Sequence, residues 1–254
     1  MIRKMNEPTV LDLIIETHVG LERQGPGSPE TTIKALSLVN GLNKNSRVLD
    51  LGCGTGGQTM VLAQNIAGNI FGIDQIPEFI DIFNENAKKL GLEKRVQGLV
   101  GSIYELPFKK EEFDLIWSEG VIDNFGSEKG LKYWHGFLKK NGYIVVSCAS
   151  WFTDEHPKEI EKFWTDADCE LNTIEKNISI MRKAGFTPIA TFKLPKECWT
   201  NNYFVPREKA EKTLPEKYPG SKTVEAYMKD EKREVELYTK YNQYYGYAFY
   251  IGKK

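Results

Sequence analysis

The sequence predicts an α/β fold, a seven-stranded, mostly parallel sheet with helices on both faces. Three observations predict it. Strand and helix patterns alternate from Ser46 to Cys148, the rhythm that builds parallel sheets through crossover connections. The first strand runs into a helix through Gly52, Gly54, Gly56 and Gly57, a turn whose missing β-carbons let main chain approach a ligand and let the helix pack closely on the sheet. At 254 residues the chain can bury a large core within one α/β domain.

Each element follows from its local pattern. Val10 to Gly20 carries apolar residues at Val10, Leu11, Leu13, Ile14 and Ile15, a short amphipathic helix. Arg23-Gln24-Gly25-Pro26-Gly27 is a loop that reads either as a hinged lid or as a rigid turn between helices. Ser28 then stands as an N-cap, with Pro29 at the first helical position and Glu30 near the positive helix end, so a helix runs to about Asn40. The alternation continues with strand 46–51, helix 58–67, strand 69–74, helix 77–90, strand 95–100, strand 113–118, helix 128–139 and strand 143–148. Helices at about 157–165 and 172–184 lead to Gly185, which ends the second, then to strands at Thr187–Leu194 and Tyr247–Gly252.

Between those last two strands, about 195–243, lies an insertion. It holds the aromatic run Trp199, Tyr203 and Phe204, then Pro206, Pro215 and Pro219, then a charged helix from about Thr223 to Tyr241. Both signs are interspersed along that helix, which reads as a solvated face. The whole, 1–254, is expected to be one domain: an N-terminal helical cap at 1–44, a cofactor-binding core at 45–150, and a substrate-side half at 151–254 containing the insertion.

Composition narrows the partners. Lysine plus arginine number 34 against 35 aspartate plus glutamate, so no global field draws the chain to nucleic acid or an anionic membrane, and a small molecule is the expected partner. No stretch approaches the ~20 apolar residues of a membrane helix, and the N-terminus lacks a signal-type apolar run, which predicts a cytoplasmic protein. Cys53, Cys148, Cys169 and Cys198 make no metal spacing with the three histidines, so reduced thiols and no metal site are expected.

The glycine turn is open to two cofactors. Gly52, Gly54 and Gly57 satisfy the dinucleotide fingerprint, and Asp74 lies 22 residues beyond Gly52, where a ribose-binding acid belongs. Asp50, at the end of the first strand, separates the readings. A pyrophosphate would be repelled there, whereas a ligand carrying ammonium and sulfonium would be attracted. This favours S-adenosylmethionine (SAM) over NAD. Asp50 with the backbone of Gly52, Gly54 and Gly56 would hold the methionine portion. Asp74 would accept both ribose hydroxyls, and Gln75 and Ile76 would flank the adenine.

On these residues the sequence resembles the class I SAM-dependent methyltransferases, within the branch that includes the ubiquinone/menaquinone C-methyltransferases and many small-molecule enzymes. The likeness covers about Asn45 to Cys148. Asp50-Leu51-Gly52-Cys53-Gly54-Thr55-Gly56 resembles the first motif, and Gly72-Ile73-Asp74 the ribose-binding strand end. Leu106-Pro107-Phe108 resembles the segment after the adenine turn, and Leu138 to Tyr143 the turn into the fifth strand. The resemblance implies a Rossmann-like fold, SAM as methyl donor and S-adenosylhomocysteine (SAH) as product. It also implies an adenine contact after the third strand, where Ser102 and Ile103 stand in place of the family's frequent acid.

For chemistry, Glu119 ends the fourth strand and would bind the methionine ammonium, orient an acceptor or take its proton. His156 is a second candidate base, in a loop after the fifth strand. Trp117-Ser118-Glu119-Gly120 misses the nucleophile elbow because Ile116 replaces its first glycine, which argues against a serine hydrolase. Trp151, Trp199 and Tyr203 are candidates for an apolar or aromatic acceptor pocket under a cap built from the N-terminus and the insertion. A SAM-binding regulatory protein without turnover, and more remotely an NAD-dependent oxidoreductase, are the competing readings.

Overall fold

The computed structural model describes residues 7–169 and 171–254. Two N-terminal helices, α1 (Val10–His18) and α2 (Pro29–Leu36), precede the sheet. Both begin in reciprocal capping boxes, Thr9 with Asp12 and Ser28 with Thr31, which satisfy amides that a helix start leaves without partners. Helix α2 stops four residues short of the predicted end, because Leu38 and Val39 tighten into i→i−3 bonds to Ala35 and Leu36.

The core then alternates as β1 (Arg47–Leu51), α3 (Gly57–Asn65), β2 (Asn69–Asp74), α4 (Pro77–Lys89), β3 (Val96–Val100) and β4 (Phe113–Glu119). After β4 come a short helix α5 (Ile122–Phe125), α6 (Ser127–His135) and β5 (Leu138–Trp151). Strand β5 is longer than predicted at both ends, and the predicted helix to residue 139 ends at His135. Leu138 already pairs with Phe113 across a register shift, and Asn141 adopts φ 64° just before the regular ladder begins at Tyr143. The remaining elements are α7 (Lys158–Asp166), the two-residue β6 (Asn172–Thr173), α8 (Ile174–Lys183) and β7 (Thr187–Lys193). They are followed by α9 (Glu197–Trp199), a π-helical turn (Thr200–Phe204), α10 (Val205–Glu211), α11 (Leu214–Lys217), α12 (Lys222–Tyr241) and β8 (Tyr245–Lys253).

The seven main strands order as β3-β2-β1-β4-β5-β8-β7, with β6 beside β5. Strand β8 runs antiparallel to both its neighbours, while β1 to β5 pair in parallel. The order reverses between β1 and β4, so the carboxyl ends of these strands open the crevice that such sheets use for ligands. Successive strand residues feed opposite cores. Leu49, Ile116 and Ile144 pack on one face, and Val48, Trp117 and Val145 on the other, which is why these strands read as continuous apolar runs.

The aromatic run predicted within the insertion is helical. Trp199 stacks on Tyr238 of α12 with ring centroids 4.6 Å apart, and both belong to a third core with Trp151, Phe204, Leu237 and Tyr245. Helix α1 joins this layer. Leu13 packs with Leu214, Val224 and Tyr227, while Thr17 Oγ1 lies 2.9 Å from Tyr227 Oη and His18 Nε2 lies 3.2 Å from Tyr203 Oη. Burial pushes the His18 imidazole down to about 4, so it is neutral near pH 7. Among the described residues no helix is long and apolar enough to cross a membrane.

Candidate active site

A cavity of about 310 Å³ opens at the carboxyl ends of β1, β2 and β4. Gly52, Gly54 and Asp74 line it from the cofactor motif, Glu119, Gly120 and Val121 from the end of β4, and Arg23 to Pro26 from the N-terminal loop. Trp164, Trp199, Tyr203, Glu234 and Tyr247 supply the remaining wall from the later half of the chain. The predicted residues Gly52, Gly54, Asp74, Glu119, Trp199 and Tyr203 are thereby brought together.

The Asp74 carboxylate accepts the amides of Gly54 and Ile76, each at 3.0 Å. Burial raises its pKa, and those same amide bonds pull against the rise. Asp50 departs from its expected place. It is fully buried and outside the cavity, covered by the start of α3, where Thr59 Oγ1 and Gln58 Nε2 both donate to Oδ2. Its other oxygen, Oδ1, has no partner. Burial, with the negative charge of Glu119 nearby, pushes this carboxyl up to about 7.

Glu119 is at the cavity wall, but its oxygens are committed. Arg23 donates to Oε2 at 2.9 Å, and Thr32 Oγ1 and Trp117 Nε1 donate to Oε1 at 2.8 and 2.9 Å. Arg23 is further tied to Thr32 through its second terminal nitrogen. This buried pair fastens the N-terminal loop to the sheet, a role that corrects the expectation of a free carboxylate facing an acceptor.

Gln24, the next residue, enters the glycine turn itself. Its Oε1 accepts the Thr55 amide at 2.9 Å and stands 2.1 Å from where a β-carbon on Gly54 would be. Gly54, at φ 53°, therefore makes room for Gln24 itself, since a β-carbon there would collide with its side-chain amide. Gly57 has a different purpose from the one predicted. The Glu22 carbonyl lies 2.1 Å from its would-be β-carbon, so the close approach there is by the N-terminal loop and not by the sheet.

Other expected residues lie outside the cavity. His156 stacks on Trp151 at 3.7 Å, and neither lines it. The stack engages the imidazole face, and the half-buried ring stands apart from the cavity lining. Gly56, Gln75, Ile76, Ser102 and Ile103 also lie beyond the enclosed volume. Gln75 is exposed, the Ser102 hydroxyl accepts the Tyr104 amide, and the Ile103 carbonyl accepts Trp134 Nε1. Conversely, sequence reasoning missed Trp164, Glu234 and Tyr247, which reach the cavity from distant elements and carry no motif. Arg23 and Gln24 were visible only as members of a glycine-proline loop.

The cavity fits a SAM-type ligand by two features: the backbone of Gly52 and Gly54 in its wall and the Asp74 carboxylate beside them. Comparison with known proteins agrees. Phosphoethanolamine N-methyltransferase of Plasmodium falciparum is 26% identical over 170 residues, covering 65% of this chain and 62% of that protein. The chain thus spans less than two thirds of that relative's length. The structure superposes on Haemonchus contortus phosphoethanolamine N-methyltransferase 2, solved with phosphomonomethylethanolamine and SAH, at a TM-score of 0.71 and 16% identity, covering 96% of this chain and 57% of that one. It also superposes on the cyclase SpnF at a TM-score of 0.73 and 20% identity, with 89% and 81% covered. At these identities the superpositions establish the fold, and SpnF illustrates that the fold alone does not set the reaction. A model of the methyltransferase-domain family matches residues 42–203, more than half of the sequence, and the chain belongs to that family.

Proposed function

We propose that the protein transfers a methyl group from SAM to a small-molecule acceptor held in this cavity. The observation that carries the reading is the continuity of one cavity from Gly52, Gly54 and Asp74 to Trp164, Trp199, Tyr203 and Tyr247. A methyl donor on the glycine side and an acceptor on the aromatic side would share one enclosed space. When bound, SAM supplies an electrophilic methyl group on a sulfonium.

The chain's own residues position and enclose. Asp74 would take the ribose hydroxyls in exchange for amide bonds it already makes, and the backbone at Gly52 and Gly54 would carry the methionine portion. The Arg23–Glu119 pair holds the N-terminal loop in place as one wall of the cavity. In-line displacement needs the nucleophile aligned more than it needs a base, and alignment contributes on the order of 7 to 11 kcal/mol in favourable cases. Glu119 acts on that alignment indirectly, through the N-terminal loop that it fastens by Arg23 and Thr32. The chain is read as one domain, 1–254, whose cap combines residues up to 44 with the insertion at about 195–243, acting in the cytoplasm. The finer kinship with quinone C-methyltransferases concerns the cofactor motifs, and the acceptor is set by the aromatic half.

The test is SAH formation, followed by mass spectrometry with SAM and a panel of amine, hydroxyl, thiol and carbon-acid acceptors. We expect Glu119→Gln and Trp199→Ala to lower turnover more than SAM affinity, because Trp199 lines the acceptor side and Glu119 fastens the loop beside it. Wild-type turnover in both variants would place the acceptor elsewhere.

A further inference from the structure

We propose that the acceptor is an amine without a phosphate group, methylated on nitrogen. This rests on the methyl-transfer reading above and deepens it. Asp74, Glu119, Glu234 and Arg23 line the cavity; Glu119 is paired with Arg23 and Glu234 with Arg207, which leaves Asp74 as the lining acid without a cationic partner among the described residues. Both terminal nitrogens of Arg23 are already spent on Glu119 and Thr32, which leaves only its buried Nε–H. Arg207, behind the wall, is spent on Glu211, Glu231 and Glu234. A phosphate in this space would lose its hydration and meet carboxylates, the opposite of the arginine-rich geometry that such groups require.

The aromatic wall favours a cation. Trp164, Trp199, Tyr203 and Tyr247 line the cavity; one Trp199 face is stacked on Tyr238 and Arg207 lies over the Tyr203 ring, so Trp164 and Tyr247 are the faces offered to a quaternary or protonated nitrogen. The Tyr203 hydroxyl faces Arg207 and His18, so this residue is not a proton acceptor for the ligand. The nitrogen enters as the free base, having released its proton to solvent. Its lone pair forms the N–C bond as the C–S bond breaks with its electrons going to sulfur. The positive charge lost by sulfur appears on the product ammonium, which the wall stabilises as it develops. A secondary or tertiary product then sheds a proton to solvent, and a quaternary product leaves charged.

The experiment is calorimetric titration of the full chain, first with SAH and then, saturated with SAH, with choline, its uncharged carbon isostere dimethylbutanol, and phosphocholine. We expect choline to bind roughly tenfold or more tightly than dimethylbutanol, and phosphocholine to bind more weakly than choline. Trp164→Leu should weaken choline roughly 2- to 30-fold without changing SAH affinity, and Trp164→Phe should restore part of the loss. Equal binding of dimethylbutanol, binding of phosphocholine as tight as choline, or absence of choline binding to protein that binds SAH would each overturn the proposal. Failure to bind SAH would instead overturn the methyl-transfer reading, and this proposal with it.

Discussion

Asp50 shows most plainly how a residue's place in a motif can be legible in the sequence while its surroundings are not. Its position at the end of β1 marked it as part of the glycine motif, but strand parity puts its side chain under the first turn of α3, where Gln58 and Thr59 enclose it. That enclosure depends on the helix docking against the strand, a tertiary event that motif spacing does not encode. Burial gives it a testable signature. The folded protein holds a proton on Asp50 up to about pH 7, whereas the unfolded chain releases it near the ordinary carboxylate pKa of about 3.9. Because the folded pKa is raised, stability from this residue is present below the unfolded pKa and is lost as pH rises through that window. The slope is up to about 1.4 kcal/mol per pH unit. Urea denaturation across this range should show a shallower decline in Asp50→Asn than in wild type. Equal slopes would mean that Asp50 is ionised in the folded state.

At the scale of elements, the alternating strands and helices between β1 and β4 were legible because their apolar runs feed two opposite cores. The ends of α2, α6 and β5 were not, since they are set by a bulge and by local i→i−3 turns rather than by periodicity. The helical aromatic run of α9, the π-turn and α10 escaped for another reason: its aromatics suit several conformations until Tyr238 of α12 stacks on Trp199. The N-terminal loop is the element that binds these parts together. Arg23 and Glu119 are 6% and 5% exposed in their side chains, so removing one partner leaves the other charge buried. Arg23→Met is expected to cost about 3 to 5 kcal/mol of folding stability, and adding Glu119→Leu should recover a substantial part. Denaturant midpoints compared across this double-mutant cycle check it. A double variant no more stable than the single one would show that the pair is not the fastening of the loop.

For the whole molecule, the sequence was most informative where the cofactor motif concentrates chemistry in consecutive residues, and least where the cavity is assembled from afar. Glu234 on α12 and Tyr247 on β8 meet Gly52 and Asp74 only through the return of the chain across β5. Likewise α1 closes onto the π-helical turn and α12, His18 meeting Tyr203 and Thr17 meeting Tyr227. These additions wall the shared cofactor crevice on its far side, which gives a small acceptor a surface to bind. The central claim is that the crevice takes SAM. Calorimetric titration of wild type and Asp74→Ala with SAM and NAD tests it most directly. Wild type should bind SAM saturably and far more tightly than NAD, and Asp74→Ala should lose about 2 to 4 kcal/mol of that binding if both ribose bonds are charge-assisted. NAD binding as tight as SAM, or SAM affinity unchanged in Asp74→Ala, would contradict the account.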